Sequence, residues 1–562
     1  MSEASHIVEH LIATLGWRGR FQCIALLLVG FTSEILSGFN HVIMAFHGPP
    51  VSHTCKAGPQ IHLGYNSTSW VQSSHAYSVQ PYVTNVTHSE CLTTVTYSDG
   101  QDEVIKCTSG QWEYFPQYGE RNIVSEFDLV CSAEYLTSLA TTIYFTGVMV
   151  GGLVFGDLAD RFGRLPVMLF THYSLAVVGL ISAFSVNYTM FVCLRFITGI
   201  FVQGLQNSAF TLAIEFVQPQ YRPLAGVVVD LFFSLSIMVL AGLAFGIRNW
   251  RHLQIAVSLI PLATLLYTWA LPESLRWLVM KRKTQRAEKL LRRICKINKI
   301  PFPVETWDRV TSTAGEQVLV KQQYNLTHLF RTCSLVKTVG VSAYVWFVIS
   351  ATYYGLTFKV TSLSGHRYFN FFISGLFEAV VYVLAIPLMN RFGRKGPLVG
   401  SFMIIATMCL ASGFMATYSS GLEQVITAFG LTGKIVSSCV FVIFYIYSSE
   451  MFPTVVRSAA LGLCMVWARL GGLIAPQLNQ WTSVLLGFDV IYLFGAMSLI
   501  GGLIVLTLPE THKRRLPDTF GEGNSFSNRI STQAKTIGLA GKPVKDDANR
   551  EMLGTCNGSE NV

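Results

Sequence analysis

Charge is what this sequence lacks most. Asp, Glu, Lys and Arg together make up 13% of its 562 residues, against roughly 25% in soluble globular chains. So long a chain would form three or four soluble domains, and so little charge cannot coat them. Cysteine is at ordinary usage too, since twelve in such a length exclude a small secreted disulfide scaffold. No CxxC pair and no His/Cys cluster at metal-ligand spacing occurs, so no metal is expected. No complete phosphate-binding loop is present either. Gly430-Leu431-Thr432-Gly433-Lys434 is glycine-rich but lacks the spacing and lies in an apolar run. The sequence therefore predicts neither an enzyme nor a bound cofactor. Apolar residues, in contrast, reach 51%, with a mean hydropathy of +0.44.

That surplus is organised in runs. Twelve are long enough to approach a bilayer's hydrocarbon thickness, near 21–46, 136–156, 167–186, 189–210, 224–246, 253–271, 338–360, 368–389, 397–417, 424–447, 458–478 and 485–508. The prediction is an all-α membrane protein with twelve transmembrane helices. The first run is not a signal peptide, because Glu3, Glu9, Arg18 and Arg20 precede it and its apolar stretch is too long.

A net charge of +9 could point to nucleic acid, so the position of the charges decides. Ten bases and one acid, Glu288, lie between Arg276 and Lys299, which the positive-inside rule places in the cytoplasm. The 47–135 loop has only Lys56, Lys106 and Arg121 as bases against nine acids, and is expected outside. No nucleic-acid partner is expected. The loop also carries the glycosylation sequons at Asn66 and Asn85 and four cysteines, Cys55, Cys91, Cys107 and Cys131, in an oxidising compartment. Four cysteines allow three pairings, which spacing cannot decide. The sequons at Asn325 and Asn557 fall on the cytosolic side and are read as chance.

An internal repeat divides the chain. Asp160-Arg161-Phe162-Gly163-Arg164 recurs as Asn390-Arg391-Phe392-Gly393-Arg394, the pair Glu215 and Arg222 as Glu450 and Arg457, and Leu271-Pro272-Glu273 as Leu508-Pro509-Glu510. The expected organisation is a cytosolic N-terminus (1–20), a six-helix bundle (21–271) holding the outer loop, a cytoplasmic loop (272–337), a second six-helix bundle (338–508) and a cytosolic tail (509–562). Two such bundles can rock about a midplane site that neither forms alone. All the repeated motifs lie at cytoplasmic span ends. Asp160, Glu215, Glu273 and Glu450 are expected to pair with Arg161, Arg164, Arg222, Arg391, Arg394 and Arg457, closing the inner side when the site opens outward. The alternative is that these bases only set topology.

The run Gly156-Asp157-Leu158-Ala159-Asp160-Arg161-Phe162-Gly163-Arg164 resembles the loop signature of the major facilitator superfamily. Pro272-Glu273-Ser274-Leu275-Arg276-Trp277-Leu278, the stretch from Ser449 to Arg457, and the large cysteine-bearing first loop are similar to the organic cation, organic anion and carnitine transporter family within it. The resemblance covers all twelve spans. It implies the major facilitator fold, in two pseudo-repeated six-helix bundles, and transport of a small organic ion.

Charges at mid-bilayer cost about 2.5–3.5 kcal/mol on insertion scales, so each should face protein, water or substrate. Glu34, Asp230, Glu378 and Arg469 fall well inside spans: three acids and one base. If they converge, the cavity suits a cation or a zwitterion, with Arg469 free for a carboxylate. The alternative for Arg469 is an ion pair with Glu378; Glu34 lies near no other motif, and Arg195 is read as structural. Trp346 and Tyr353, seven apart, share a helix face with Tyr354 adjacent. Packing is the ordinary role of such a stripe, but the pair resembles the family's cavity aromatics, which hold ammonium groups by cation–π attraction. Glu378 followed by Tyr382 resembles carnitine-type members, Arg469 the anion and carnitine branches, and 238–246 an anion-transporting branch. Asp230 departs from the family, which usually has an uncharged residue there.

The expectation is a multi-pass plasma-membrane carrier of small organic cations or carnitine-like zwitterions, both termini cytoplasmic, active as a monomer in the lipid bilayer. An organic-anion exchanger and a non-transporting receptor displaying the 47–135 loop are the alternatives. Sodium sites built from backbone carbonyls leave no residue pattern, so coupling to sodium or protons stays open.

Overall fold

A computed structural model describes residues 3–16, 19–55, 83–97, 100–316, 333–360, 364–419, 421–453, 456–482 and 487–512. Asn66, Asn325, Asn557 and all but the first residues of the predicted tail lie outside these. Twelve helices follow the twelve apolar runs: Arg20–Val42, Tyr135–Phe162, Arg164–Ser182, Tyr188–Glu215, Arg222–Gly246, Trp250–Ala263, Cys333–Lys359, Arg367–Phe392, Lys395–Tyr418, Glu423–Met451, Arg457–Trp481 and Val490–Val505. They are called spans 1 to 12. Most run a turn beyond the apolar stretch, because a helix keeps its hydrogen bonds after hydrophobicity ends.

Spans 6 and 12 are shorter than predicted. Pro261 supplies no amide near the end of span 6, which continues as two 3-10 turns, Thr264–Leu266 and Thr268–Ala270. Span 12 has 16 residues, about 24 Å at 1.5 Å per residue, short of about 30 Å of hydrocarbon. Among the described residues ten helices are long and apolar enough to cross a membrane, and Trp250–Leu266 and Val490–Val505 are the shorter apolar ones. Starts are capped where the chain turns: Asn187, Asn249 and Asp489 accept the backbone amides of Met190, Arg251 and Ile491 at 2.8–3.0 Å. Spans 2 and 4 meet backbone to backbone. A Cβ on Gly147 would lie 2.1 Å from the Phe196 carbonyl oxygen, so only glycine fits.

The halves join where span 2 packs on span 11 and span 5 on span 8. Two large apolar cores result, one mostly from the first half and one mostly from the second. A cap of short helices sits at the end bearing the repeated motifs, here the basic end. There the N-terminal helix Glu3–Thr14 packs on Val304–Glu316, burying Val8, Leu11 and Ile12 in the core that includes Leu291, Ile294 and Trp307.

The loop between spans 1 and 2 folds as two small antiparallel sheets. Strands β1 (Ser52–Cys55) and β5 (Trp112–Phe115) pair, and β2 (Val83–His88), β3 (Leu92–Tyr97) and β4 (Asp102–Lys106) form a meander. The pairing that spacing left open is Cys55–Cys107 and Cys91–Cys131. His53 lies beside Cys91 and Cys131, a trio in reach of one ion, but the disulfide leaves neither thiolate free. Asn85 is exposed on β2, accessible to a glycan. Non-reduced peptide mapping is expected to return those two crosslinks, and recovery of a Cys55–Cys91 or Cys55–Cys131 peptide would contradict the pairing. Opening Cys91–Cys131, whose partners are 40 residues apart, with serines is expected to cost about 4 kcal/mol by the loop-closure rule.

Candidate functional site

Between the halves, charged side chains from spans 1, 5, 8, 10 and 11 approach one another. Glu34 is buried on span 1. It accepts from Gln206 on span 4 at 3.3 Å and from Ser33 at 3.4 Å. Its charge also lies within range of Arg469 on span 11. Glu34 is thus part of a network, not isolated as the sequence suggested. The other side of Gln206 meets His41 Nε2 at 3.2 Å, and His41 Nδ1 shares a 3.0 Å hydrogen bond with Tyr144. His41, seven residues after Glu34 and so on the same helix face, escaped the sequence reading.

Asp230 on span 5 is partly exposed and interacts electrostatically with Glu34, Tyr382 and Tyr445. Among the described residues it has no ion-pair partner. Arg469 is also partly exposed, bonds Tyr354, and has no salt bridge there either.

Glu378 is the correction. Neither Arg469 nor open cavity meets it. Lys434 on span 10 lies 2.7 Å from its carboxylate, and Ser438 donates to the other oxygen. Glu378 is 0% and Lys434 1% exposed. The same ammonium stands 5.3 Å from the Tyr353 ring centroid. The carboxylate and aromatic face expected to hold a substrate cation thus already hold one supplied by the protein. Three acids therefore face two bases, not one.

Trp346 is fully buried with its rings 5.4 Å from Phe441 and Phe444 and 6.2 Å from Tyr445. Tyr353 meets Phe441 too, at 6.3 Å, so both stripe residues rest on span 10. Tyr354 turns toward the first half, 4.7 Å from Phe145 and 6.0 Å from His41. Tyr382 is buried between Glu378 and Asp230. Arg195 is buried, bonded to the Asn40 carbonyl at 3.1 Å and set 4.3 Å over the Tyr144 ring, as a structural arginine would be.

At the loop end the halves touch directly. Glu120 of the loop and Arg367 at the start of span 8 form a buried 2.8 Å ion pair. Around it Phe46 stacks on Tyr368 at 5.7 Å, and Tyr118 packs on His366 at 4.7 Å. Sequence gave no sign of this closure, since each member lies far from its partner in the chain.

At the basic end the repeat is geometric as well as textual. Arg164 bonds Asp160 at 2.8 Å and Glu215 at 3.4 Å, and Arg394 bonds Glu450 at 3.0 Å. Glu273 accepts the backbone amides of Arg164 and Leu165, and Glu510 those of Arg394 and Lys395. Burial pushes the Glu273 carboxyl up. Partial burial acts the same way on Glu510, but four backbone amides outweigh it and hold its carboxyl below the usual range. Gly163 and Gly393 have φ of +119° and +81°, and a Cβ there would lie 2.4 Å from Glu273 and 2.8 Å from Glu510. The turn needs both the backbone freedom and the missing side chain.

In this conformation, closed at the loop end by Glu120 and Arg367, each of these pairs lies within its own half. Arg222 departs further, bonding Glu9 of the N-terminal helix at 3.5 Å beside Arg276. Arg161 and Arg391 are exposed. Arg457 donates to the Phe452 carbonyl.

Residues 28–519 match the model of the sugar (and other) transporter family. The "Organic cation transporter protein" of Drosophila melanogaster is 33% identical over 444 residues, 77% of this chain and 78% of that one. "Organic anion transporter 3" of Sus scrofa is 31% identical over 533 residues, 92% and 94% respectively. Among solved structures, the proton:xylose symporter XylE bound to 6-bromo-6-deoxy-D-glucose superposes with a TM-score of 0.54 at 17% identity, covering 93% of this chain and 99% of that one. That likeness concerns the fold alone.

Proposed function

Because the chain belongs to the organic cation and anion transporters within the sugar (and other) transporter family, we propose that it carries a small zwitterion or organic cation, with carnitine-like betaines foremost, across the plasma membrane by alternating access. The observation that carries this reading is the division of interior charge. Lys434 neutralises Glu378, which leaves Glu34 within range of Arg469 and Asp230 within range of Glu34. A guanidinium holds a carboxylate through two parallel charge-assisted hydrogen bonds. A quaternary ammonium, which has no N–H, is held by carboxylate charge and ring faces, here Glu34, Asp230 and Tyr354. A betaine carries both groups a few bonds apart.

In this reading the ten bases face the cytoplasm, the sheet-bearing loop faces outside, and one copy of the chain suffices. The structure then has its outer side closed. Sodium or proton coupling is tested by replacing external sodium and by shifting external pH during uptake.

The second reading, an organic-anion exchanger, draws on the same Lys434, because cancelling Glu378 weakens the site for a simple cation. Cells expressing the protein are expected to take up labelled carnitine faster than tetraethylammonium or a dicarboxylate. Uptake of the dicarboxylate alone would replace the zwitterion reading with the anion one.

A further inference from the structure

We infer that the basic end of the first half holds a binding site for the phosphorylated headgroup of an inner-leaflet phosphoinositide. A pocket of about 430 Å³ opens there between the end of span 2, the start of span 3 and the helix Thr284–Asn298. Lys283, Arg286, Lys289 and Arg293 line it over an apolar floor that includes Phe162 and Trp277. On the helix, Arg286, Lys289 and Arg293 are three and four residues apart and share one face. The opposite face buries Ala287, Leu291, Ile294 and Cys295, so the stripe is fixed toward the pocket. Lys283 is held at the rim with its ammonium 4.3 Å over the Trp277 ring. Arg293 reaches back to the Ala270 carbonyl at the end of span 6.

Charge is uncompensated in the pocket. None of the four bases has an ion-pair partner among the described residues, whereas Arg276 and Arg292 nearby are paired with Glu9 and Glu288. The one acid in the lining, Glu273, turns a carboxylate oxygen to the backbone amides of Arg164, Leu165 and Ser274. Like charges three and four apart on a helix repel, and an anion between them relieves that repulsion. Setting the topology needs only the number of bases, not their convergence on a cavity.

The surroundings point to a lipid as the source of the anion. Phe162, Leu266 and Trp269, at the same end of spans 2 and 6, are 64%, 80% and 77% exposed, as side chains against acyl chains and the interfacial zone would be. A headgroup can enter from the bilayer while its chains stay beside these residues. Clustered bases at the cytoplasmic surface attract polyanionic lipid in this way. Four bases suit phosphomonoesters better than the single charge of phosphatidylserine. The placement rests on the basic end being cytoplasmic.

The test is native mass spectrometry of the purified full-length protein titrated with phosphatidylinositol 4,5-bisphosphate, phosphatidylserine and inorganic phosphate. The bisphosphate lipid is expected to bind at least tenfold more tightly than phosphatidylserine, and inorganic phosphate should not displace it. Arg286→Gln/Lys289→Gln/Arg293→Gln is expected to weaken it at least tenfold. Lys281→Gln/Arg282→Gln/Lys296→Gln, which removes the same charge outside the pocket, should change it less than threefold. Equal losses in the two triple variants, equal binding of both lipids, or displacement by inorganic phosphate would each overturn the site. Should the first triple variant not fold, Arg286→Gln/Lys289→Gln, at two exposed positions, is compared with Lys281→Gln/Arg282→Gln, which removes the same charge outside the pocket.

Discussion

Lys434→Met is expected to be the most damaging single substitution in the transport pathway, lowering stability by about 3–5 kcal/mol, the usual cost of removing one member of a buried ion pair. Glu378, fully buried, would keep only neutral hydroxyl partners such as Ser438 among the described residues. Adding Glu378→Met should recover most of the loss, because the cost is that of a stranded charge, and replacing both members by apolar groups is often neutral. Thermal unfolding in detergent and the amount of protein at the cell surface measure both steps. If the double variant were as unstable as the sum of the single ones, the pair would not be the source of the damage. The folded double variant also reads out specificity: with the internal ammonium gone from the Tyr353 ring and no carboxylate left, carnitine and tetraethylammonium uptake should both survive only if Glu34 and Asp230 hold the substrate cation.

Arg469→Ala acts in the opposite way, on function with little cost to the fold. Arg469 has no salt bridge among the described residues, so its removal strands no carboxylate within bonding distance. Loss of a two-bond guanidinium–carboxylate contact is worth about 2.8 kcal/mol, roughly a hundredfold in affinity. Carnitine uptake is expected to fall by that order, and uptake of a cation without a carboxylate to hold or rise, since a repelling charge has left the site. Labelled uptake of the two compounds side by side checks this. An equal fall in both would assign Arg469 to packing or gating and not to a substrate carboxylate.

The spans and the repeat could be read from sequence because each depends on local composition: twenty apolar residues, or a motif copied along the chain. Lys434 was within reach of the same logic. It is a lone base inside the apolar run 424–447, where any charge demands a partner, but its glycine-rich setting drew attention to a phosphate loop instead. The pairing of Glu378 with Lys434 rather than Arg469 could not be read, because both bases belong to spans of the same half and only packing, here of span 8 on span 10, selects between them. Glu9 with Arg222 and Glu120 with Arg367 join residues more than two hundred positions apart, and no periodicity marks such contacts. The disulfides were undecided for a similar reason, as three pairings satisfy one spacing.

The ion pairs of the repeated motifs share a property with mechanical consequences. Arg164 with Asp160 and Glu215, and Arg394 with Glu450, each stay inside one bundle. In a rocking carrier, a cluster confined to one bundle can travel with it like rivets in a plate. What must part for the outer side to open is Glu120 from Arg367 and the ring of Phe46 from Tyr368. The turnover clock would then sit on the opposite face from the motifs that identify the fold, and the disulfide-tied outer loop would be its escapement.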